Sequence, residues 1–461
     1  MDFNLNHGKS QMSDLNSKSV KNKILNIGFD DTDSPKGMCT TYLAYRLVDS
    51  LKKENVKFVD YPKLIRFNPN IPWKTRGNGA VSIKIETENP SKIKRKVIGF
   101  VKKFSDLKNG ANPGVVFFEN DSIPEEFVEF SKNALWKLIS RKHAQEFIKK
   151  NNLESFHIGN GQGLVGAIGA IGYRFNDHTF ELLSYRKKSQ FGKKRKILSS
   201  SVKKMQEKTY PKTFNSFDTK KQRIIFAPRG PDPVFYGIRG EDVDTLLFAS
   251  TMIESREKPV GHLIFKSNQG TGDHLQNELD VNSLRPYSSG TIMGKVFDEP
   301  RIERGGHVRF SILKNNIKII CFVYKPTGIT SDAIQLIKGD LVKVGGGIRK
   351  SSPKHGRTLN VEFFEVLKLE TKSIVSNPLC QKCNKKMKSK GKNQGFECIR
   401  CGRTTTKKIT QTIPRNIKNQ LYIPQSSAHR HLTRPQQRLH VINKKSNFSN
   451  SSKWFHVNDK N

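Results

Sequence analysis

Three aspartates near the N-terminus, Asp30, Asp31 and Asp33, lie within four residues of one another. The apolar run Ile24, Leu25 and Ile27 precedes them, so we predict a strand that ends in an acidic loop. Carboxylates this close repel one another, and a divalent cation is the usual means of neutralising them. We expect this cation to be Mg²⁺.

A helix follows this loop. Leu43, Leu47 and Leu51 recur at helical spacing, which predicts an amphipathic helix from Thr40 to about Lys53. A helix N-terminus beside a metal site can hold a phosphate, so the pair favours Mg²⁺-ATP. An acidic turn with Thr40 as an ordinary N-cap explains the same residues equally well.

A second loop of small and basic residues comes before the alternating strand Val81–Ile85, with Lys74, Arg76, Gly77 and Asn78 as its candidate phosphate ligands. Glycine amides can wrap a phosphate while the basic side chains supply charge. A Gly-Asn-Gly hairpin turn is an even alternative. The glycine-rich stretch 159–172 lacks both the Rossmann and the P-loop pattern, and its small residues suggest close backbone packing.

Four of the six cysteines form two Cys-x-x-Cys pairs: Cys380, Cys383, Cys398 and Cys401. Two such pairs can direct four thiolates at one point, the arrangement of a tetrahedral zinc site, and four unrelated thiols are a poor alternative. With all four positions filled by protein, we expect structural zinc. Cys321 is predicted to be a core thiol, and Cys39, next to Thr40, to line the site without being a nucleophile, because its neighbours do not activate it.

Composition points to a polyanionic partner. The chain has 461 residues and 52.5 kDa, with 82 Lys and Arg against 41 Asp and Glu, a net charge of +41 and a pI near 10.0. Residues 371–461 hold 20 of the basic and two of the acidic residues. Nucleic acid is the expected partner class. With 35% hydrophobic residues the chain is too apolar to be a disordered basic tail, and it has neither a signal peptide nor a long apolar run, so we expect an intracellular protein without membrane contact.

The pattern predicts an α/β multidomain protein. Between 290 and 369 five strand-like stretches, with a short helix at Ile334–Ile337 after the third, match an OB fold, although another small barrel remains possible. Residues 186–208 carry ten Lys or Arg and read as a mobile basic loop, either solvated or in contact with RNA. We divide the chain into a flexible basic extension (1–22), an α/β catalytic region (23–280), the OB fold (285–370), a four-cysteine zinc ribbon (376–404) and a basic C-terminal segment (405–461).

Longer motifs resemble the archaeal 2-agmatinylcytidine synthetases, the TiaS family. The resemblance covers about residues 23–440 and rests on motifs spread along the chain: Gly28–Ser34, Gly37–Ala44, Pro62–Arg66 with Asn68-Pro69, Lys74–Val81, Asn112–Gly114, Gly161–Ala167, Tyr236–Glu241, Gly305–His307, the four cysteines and Ser427–Leu432.

The resemblance implies an ATP-dependent ligase in the cytoplasm of an archaeon, built from kinase-like and ferredoxin-like α/β parts, an OB fold and a zinc ribbon. Such a ligase attaches agmatine to position 2 of the wobble cytidine (position 34) of the isoleucine tRNA with a CAU anticodon, so that it decodes AUA. The cytidine is first phosphorylated on its C2 oxygen, the amine then displaces phosphate, and ATP ends as AMP. The resemblance also implies phosphorylation of a threonine, Thr40 by motif position, and no DNA substrate.

On this interpretation Asp30, Asp31, Asp33 and Thr40 are the catalytic residues. Agmatine is a dication, so local carboxylates must bind it in a protein of such positive charge. Asp232, Glu241 and Asp242 are our candidates, and solvated surface acids are an even alternative. Two other functions fit the sequence: a non-catalytic RNA-binding protein built on the barrel and ribbon, and ATP-dependent RNA modification of another specificity.

Overall fold

The computed structural model describes residues 22–353, 356–450 and 453–458. All but one residue of the predicted extension 1–22 lies outside the described residues. An α/β body comes first, and its helices and strands in chain order are β1 (Lys23–Asp30), α1 (Thr40–Leu51), β2 (Val56–Phe58), β3 (Lys63–Arg66), β4 (Gly79–Thr87), α2 (Pro90–Phe104), β5 (Gly114–Phe118), α3 (Glu125–Trp136), α4 (Arg141–Lys150), β6 (Glu154–His157), α5 (Gly163–Gly172), β7 (Thr179–Tyr185), α6 (Ser199–Thr209), β8 (Thr213–Phe214), β9 (Phe217–Asp218), β10 (Arg223–Ile224), β11 (Val234–Gly240), α7 (Val243–Thr251) and β12 (Gly261–Ser267).

One sheet runs through this body in the order β6-β5-β1-β4-β3-β12-β7-β11-β8. Its two halves meet where β3 pairs in parallel with β12, and β1 is antiparallel to both β4 and β5. The body is therefore not a doubly wound parallel sheet. The acidic loop still follows the carboxyl end of β1, as the sequence predicts.

Strand β1 lies between two helices. Leu25, Ile27 and Phe29 are fully buried in the same apolar core as Leu43 and Leu47 of α1. On the opposite side α5 approaches the backbone: a Cβ at Gly28 would lie 2.2 Å from the Ala167 carbonyl oxygen, and one at Gly166 would overlap Asp30. The small residues of 159–172 thus serve close packing, as predicted, and they bring α5 against the acidic loop.

A closed five-stranded barrel follows, formed by β13 (Ser289–Glu303), β14 (His307–Lys314), β15 (Ile317–Val323), β16 (Leu341–Arg349) and β17 (Thr358–Lys368). The short helix α8 (Thr330–Ala333) connects β15 to β16. Parallel pairing of Ile320–Val323 with Thr358–Val361 closes it, which gives the OB-fold strand order. The short helix lies at Thr330–Ala333, four residues before its predicted position, while Leu336 in the following turn is buried in the barrel. Cys321 is a buried core thiol, as predicted.

The chain then forms the cysteine-rich unit and returns to the body through β18 (Ser373–Ser376), β19 (Lys388–Ser389), β20 (Phe396–Glu397), β21 (Thr404–Thr405), β22 (Ile409–Thr412), β23 (Leu421–Tyr422) and β24 (Phe455–Val457). Strand β23 pairs with the barrel strand β17, and β24 pairs with β12. Trp454 and Arg438 are completely buried, so much of the C-terminal segment is part of the α/β body.

The prediction of a mobile basic loop at 186–208 is wrong for the structured part of that segment. Residues 199–209 form α6, whose Val202 and Met205 are fully buried one helical turn apart between the lysines. Arg186 is buried against Glu257. The high lysine content concealed an amphipathic pattern of only two strong apolar positions.

Candidate active site

A cavity of about 310 Å³ lies where the two halves of the sheet meet. It gathers most of the predicted site residues from four separate parts of the sequence: Asp30, Asp31, Asp33, Thr40, Lys74, Arg76, Gly77, Asn78 and Asp232. Cys39 lines it too, with its thiol pKa raised by burial, which agrees with its predicted lack of nucleophile character.

The three aspartates form a strained acidic edge of the cavity. Burial and the neighbouring Asp31 charge raise the pKa of Asp30 well above its ordinary value. Burial and Asp33 raise the pKa of Asp31 to about 6, and its backbone is left-handed, with φ 57°. A bound cation would relieve this repulsion, and hard carboxylate oxygens are the ligands that Mg²⁺ prefers. Among the described residues, however, only the four cysteines bring three or more ligand atoms within 4.8 Å of one another, so the aspartates do not form a closed metal site as they lie here.

Helix α1 begins at this edge. Its N-cap residue, Cys39, makes no side-chain capping hydrogen bond, so the first amides of the helix are not capped by the side chain of that residue. Thr40 is buried, and its hydroxyl accepts a 3.0 Å hydrogen bond from Thr32. The helix end can therefore hold an anion beside the aspartates.

Arg76 crosses the cavity and joins its two acidic sides. Its guanidinium lies 3.1 Å from an Asp33 carboxylate oxygen and 3.5 Å from one of Asp232. The same group donates to the carbonyl oxygens of three residues of the acidic loop, Ser34, Gly37 and Met38. Arg76 thus fixes the acidic loop rather than lying free for a phosphate.

The rest of the second loop is tightly constrained. A Cβ at Gly77 would lie 2.6 Å from the His431 ring and 2.7 Å from the Arg66 guanidinium, so any larger residue there would displace these two side chains. Asn78 has φ 46°, and its side chain donates to the Asn68 carbonyl. Lys74 donates to the Ile71 carbonyl at 3.1 Å. The loop is held in one conformation around the cavity.

Asp232 faces the aspartate cluster across the cavity. It is 2% exposed, and one carboxylate oxygen, Oδ2, has no hydrogen-bond partner among the described residues. Burial raises its pKa, and Arg195 and Arg76 oppose that shift. Arg195 clamps the backbone here, donating to the carbonyls of Gly230, Asp232 and Val234. Arg195 lies in the segment predicted to be a basic loop, and its contacts with this part of the backbone were not predicted from the sequence.

The cavity floor consists of residues that sequence reasoning did not single out. Glu181 is buried, 3.0 Å from Arg239 and 3.8 Å from Arg66. His431 Nδ1 lies 2.8 Å from Gln269 Oε1 and 2.9 Å from Arg239. Burial and the two arginines lower the pKa of His431 well below its usual value, so its ring is neutral. The floor therefore offers donors and acceptors for a polar ligand. The motifs Pro62–Arg66, Tyr236–Glu241 and Ser427–Leu432, which contain Arg66, Arg239 and His431, were the available signals.

Two predicted agmatine ligands are not brought to the cavity. Glu241 accepts hydrogen bonds from Arg438 at 2.6 Å and from Asn443. Asp242 caps α7 through the Thr245 amide and pairs with Lys212 at 3.1 Å. Both carboxylates have structural partners, because the turn after β11 directs them away from the cavity.

The four cysteines converge as predicted. Their sulfur atoms lie within 4.8 Å of one another, with Cys380 and Cys401 at 3.5 Å, and all are free thiols. Amides of Cys383 and Lys382 lower the pKa of Cys380, while neighbouring thiols raise that of Cys383. This soft, closed donor set fits tetrahedral zinc and leaves no position for a substrate.

We expect the purified protein to hold one zinc ion per chain. Cys398→Ser should reduce this to a small fraction, because a tetrathiolate site loses a ligand, and Cys39→Ser should leave it unchanged. Elemental analysis after dialysis measures the zinc content. Equal zinc content in wild type and Cys398→Ser would contradict the assignment.

The described part of the chain contains no helix that is both long and apolar enough to cross a bilayer. Three family models match the sequence: the TiaS TCKD domain at residues 26–99, the TiaS FLD domain at 161–274 and the TiaS C-terminal zinc ribbon domain at 377–417.

Full-length relatives are similar as well. The 2-agmatinylcytidine synthetase TiaS of Cenarchaeum symbiosum, named for the isoleucine-2 tRNA, is 48% identical over 94% of this chain and 97% of its own. The protein of that name from Methanocaldococcus jannaschii is 39% identical over 90% of this chain and 99% of its own.

Two solved structures share the architecture. A complex of TiaS with the isoleucine-2 tRNA and ATP has a TM-score of 0.83 at 33% identity. A complex of TiaS with that tRNA, AMPCPP and agmatine has a TM-score of 0.79 at 32% identity. Each comparison covers 91% of this chain and 98% of the other. The chain therefore belongs to the TiaS family, the 2-agmatinylcytidine synthetases of the isoleucine-2 tRNA.

Proposed function

We propose that this protein uses ATP to join agmatine to position 2 of the wobble cytidine of the isoleucine tRNA with a CAU anticodon. One observation carries the proposal: the acidic loop, the open N-terminus of α1 and Asp232 face a single cavity across which Arg76 bridges them. The relatives named above carry this activity in their names. Because the proposed substrate is a tRNA, we propose the cytoplasm as the site of the reaction.

The acidic side of the cavity is the ATP side in this proposal. Asp30, Asp31 and Asp33 would hold Mg²⁺, which neutralises the phosphates and the charge that develops on them during transfer. Thr40 lies at the first turn of α1, where a transferred phosphate would meet the helix N-terminus and where the family resemblance puts a phosphorylated threonine. Lys74 and the Gly77-Asn78 backbone border the same space, with Arg76 holding the acidic loop in place.

The chemistry requires two substrates to meet at one base. The cytosine C2 oxygen is a poor leaving group, and its phosphorylation converts it into a good one. The agmatine nitrogen then bonds to C2 as the C2–O bond breaks and phosphate leaves. The arginines around Glu181 can donate hydrogen bonds to the base and neutralise the leaving phosphate. Trp73, 53% exposed at the cavity rim, offers a ring on which a splayed base can stack.

Asp232 is our remaining carboxylate for the agmatine dication. It is buried, its Oδ1 pairs with Arg195 at 3.4 Å, and its Oδ2 lies 3.5 Å from Arg76 without a hydrogen-bond partner among the described residues. An incoming cation can therefore gain a charge-assisted hydrogen bond at Oδ2 while both arginines keep their places. Glu241 and Asp242 are not part of the proposed agmatine site, because both are engaged by structural partners.

The barrel, the ribbon and the C-terminal segment would hold the tRNA, because they carry much of the basic charge. We propose a division of the chain into 23–280, 285–370, 376–404 and 405–461, with the last segment packed partly onto the α/β body. A purely RNA-binding function leaves the aspartate cluster without a purpose, since burying three neighbouring carboxylates costs stability. The experiment below uses agmatine and the isoleucine tRNA, so it also tests the alternative of ATP-dependent RNA modification with another specificity.

Incubation of the unmodified isoleucine tRNA with the protein, ATP, Mg²⁺ and agmatine should give 2-agmatinylcytidine, detected by mass spectrometry of digested nucleosides. Asp31→Asn should lower the rate by at least about a hundredfold, because it removes a charge from the metal site. Asp121→Asn, an exposed carboxylate paired with Lys84, is the matched control and should keep the wild-type rate. Intact cytidine with wild-type protein that binds the tRNA would overturn the proposed function.

Asp232→Asn should raise the KM for agmatine roughly tenfold or more and leave the KM for ATP near wild type, because a buried charged contact contributes at least about 1.4 kcal/mol. Steady-state kinetics with each substrate varied in turn measures both constants. Asp242→Asn preserves the helix cap and should change neither. A raised agmatine KM in Asp242→Asn, with Asp232→Asn unaffected, would reverse the assignment.

A further inference from the structure

A second cavity, of about 330 Å³, adjoins the first. Ile225, Ala227 and Arg239 line both cavities, so the two cavities are direct neighbours. Its volume is within the range of small-ligand sites. None of the roles proposed above uses it.

The charge of this second cavity is one-sided. Arg223, Arg229 and Arg239 line it, and among the described residues no carboxylate does. Arg239 is engaged with Glu181, but the side chains of Arg223 and Arg229 have no hydrogen-bond or ion-pair partner in the described part of the chain. Arg229 is exposed to solvent, whereas Arg223 is half-buried and its Nε atom is buried without a partner. An anion in the cavity would supply the acceptor that Arg223 lacks and a counter-charge for both guanidinium groups.

The remaining wall is polar and rigid. His429 Nε2 donates to the Pro424 carbonyl at 2.8 Å, and its Nδ1 lies 3.0 Å from Asn215 Oδ1. Ser426 and Ser427 add hydroxyl groups. In the same segment His431 faces the first cavity, and Arg430 pairs with Glu362 of the barrel at 3.1 Å. The motif Ser427–Leu432 thus builds a wall of both cavities at once.

We propose that this second cavity binds a phosphodiester group of the RNA immediately adjacent to the target cytidine. The inference rests on the proposed function. A base turned out of an anticodon loop into the first cavity carries its flanking phosphates with it, and these must lie just outside that cavity. The unpaired arginines lie there, and backbone phosphates fix register without reading sequence. Holding one such phosphate would orient the cytidine for reaction.

The test uses an RNA hairpin with the CAU loop, without ATP or agmatine, and fluorescence anisotropy across a range of KCl concentrations. Arg223→Met and Arg229→Met should each flatten the slope of log affinity against log salt by about 0.7, the value for one lost phosphate contact with a single strand. Arg95→Met, an exposed arginine on α2, is the matched control and should keep the wild-type slope. Thermal unfolding confirms that each variant is folded.

A second arm locates the phosphate. Hairpins with a neutral methylphosphonate at the linkage before or after the cytidine should bind wild type more weakly at one of these positions. At that position the loss should disappear in Arg223→Met. Equal losses in wild type and Arg223→Met at both positions, or unchanged salt slopes in both arginine variants, would overturn the proposal. A raised KM for ATP with unchanged hairpin binding would assign the cavity to free nucleotide phosphates and overturn it too. Failure of wild type to bind or modify its tRNA would instead reject the proposed function itself.

Discussion

The arrangement of the active site depends on one arginine between two buried carboxylates. Without Arg76, Asp33 and Asp232 would face each other across the cavity without the cation that pairs with both, and Asp232 would keep only Arg195 as an ion-pair partner. The hydrogen bonds of Arg76 to three carbonyls also determine the shape of the acidic loop. One side chain therefore sets both the position of the ATP side and its distance from the carboxylate proposed for agmatine.

The loop that carries Arg76 is in turn held by the barrel. Asn68 donates to the Tyr287 carbonyl and accepts from the Ser289 hydroxyl, while its own carbonyl receives the Asn78 side chain. Asn70 adds a hydrogen bond to Ser289. The C-terminal segment is anchored to the α/β body by Arg438, which is buried and pairs with Asp177 and Glu241. The barrel thus holds the loop beside the cavity, and the C-terminal segment contributes His431 to the cavity lining, so the parts proposed to hold tRNA adjoin the site proposed to modify it.

Sequence reasoning succeeded where the pattern is local. The helix at Thr40, the five barrel strands, the converging cysteines and the close packing of α5 each follow from residues near one another in the chain. It failed where partners are far apart. Glu181, Arg239, Gln269 and His431 meet from four distant segments, and each alone resembles an ordinary strand or loop residue. Arg195 was hidden among lysines, and Glu241 and Asp242 looked acidic and available until their partners Arg438, Thr245 and Lys212 were placed in space.

The most direct test of this account is Arg76→Lys, which keeps the charge but cannot make the same set of hydrogen bonds. Steady-state kinetics of 2-agmatinylcytidine formation, with ATP and agmatine varied separately, measures both sides of the cavity in one variant. We expect both KM values to rise together, because the acidic loop and Asp232 lose the hydrogen-bond geometry of their common partner. A rise in one constant with the other unchanged would contradict it.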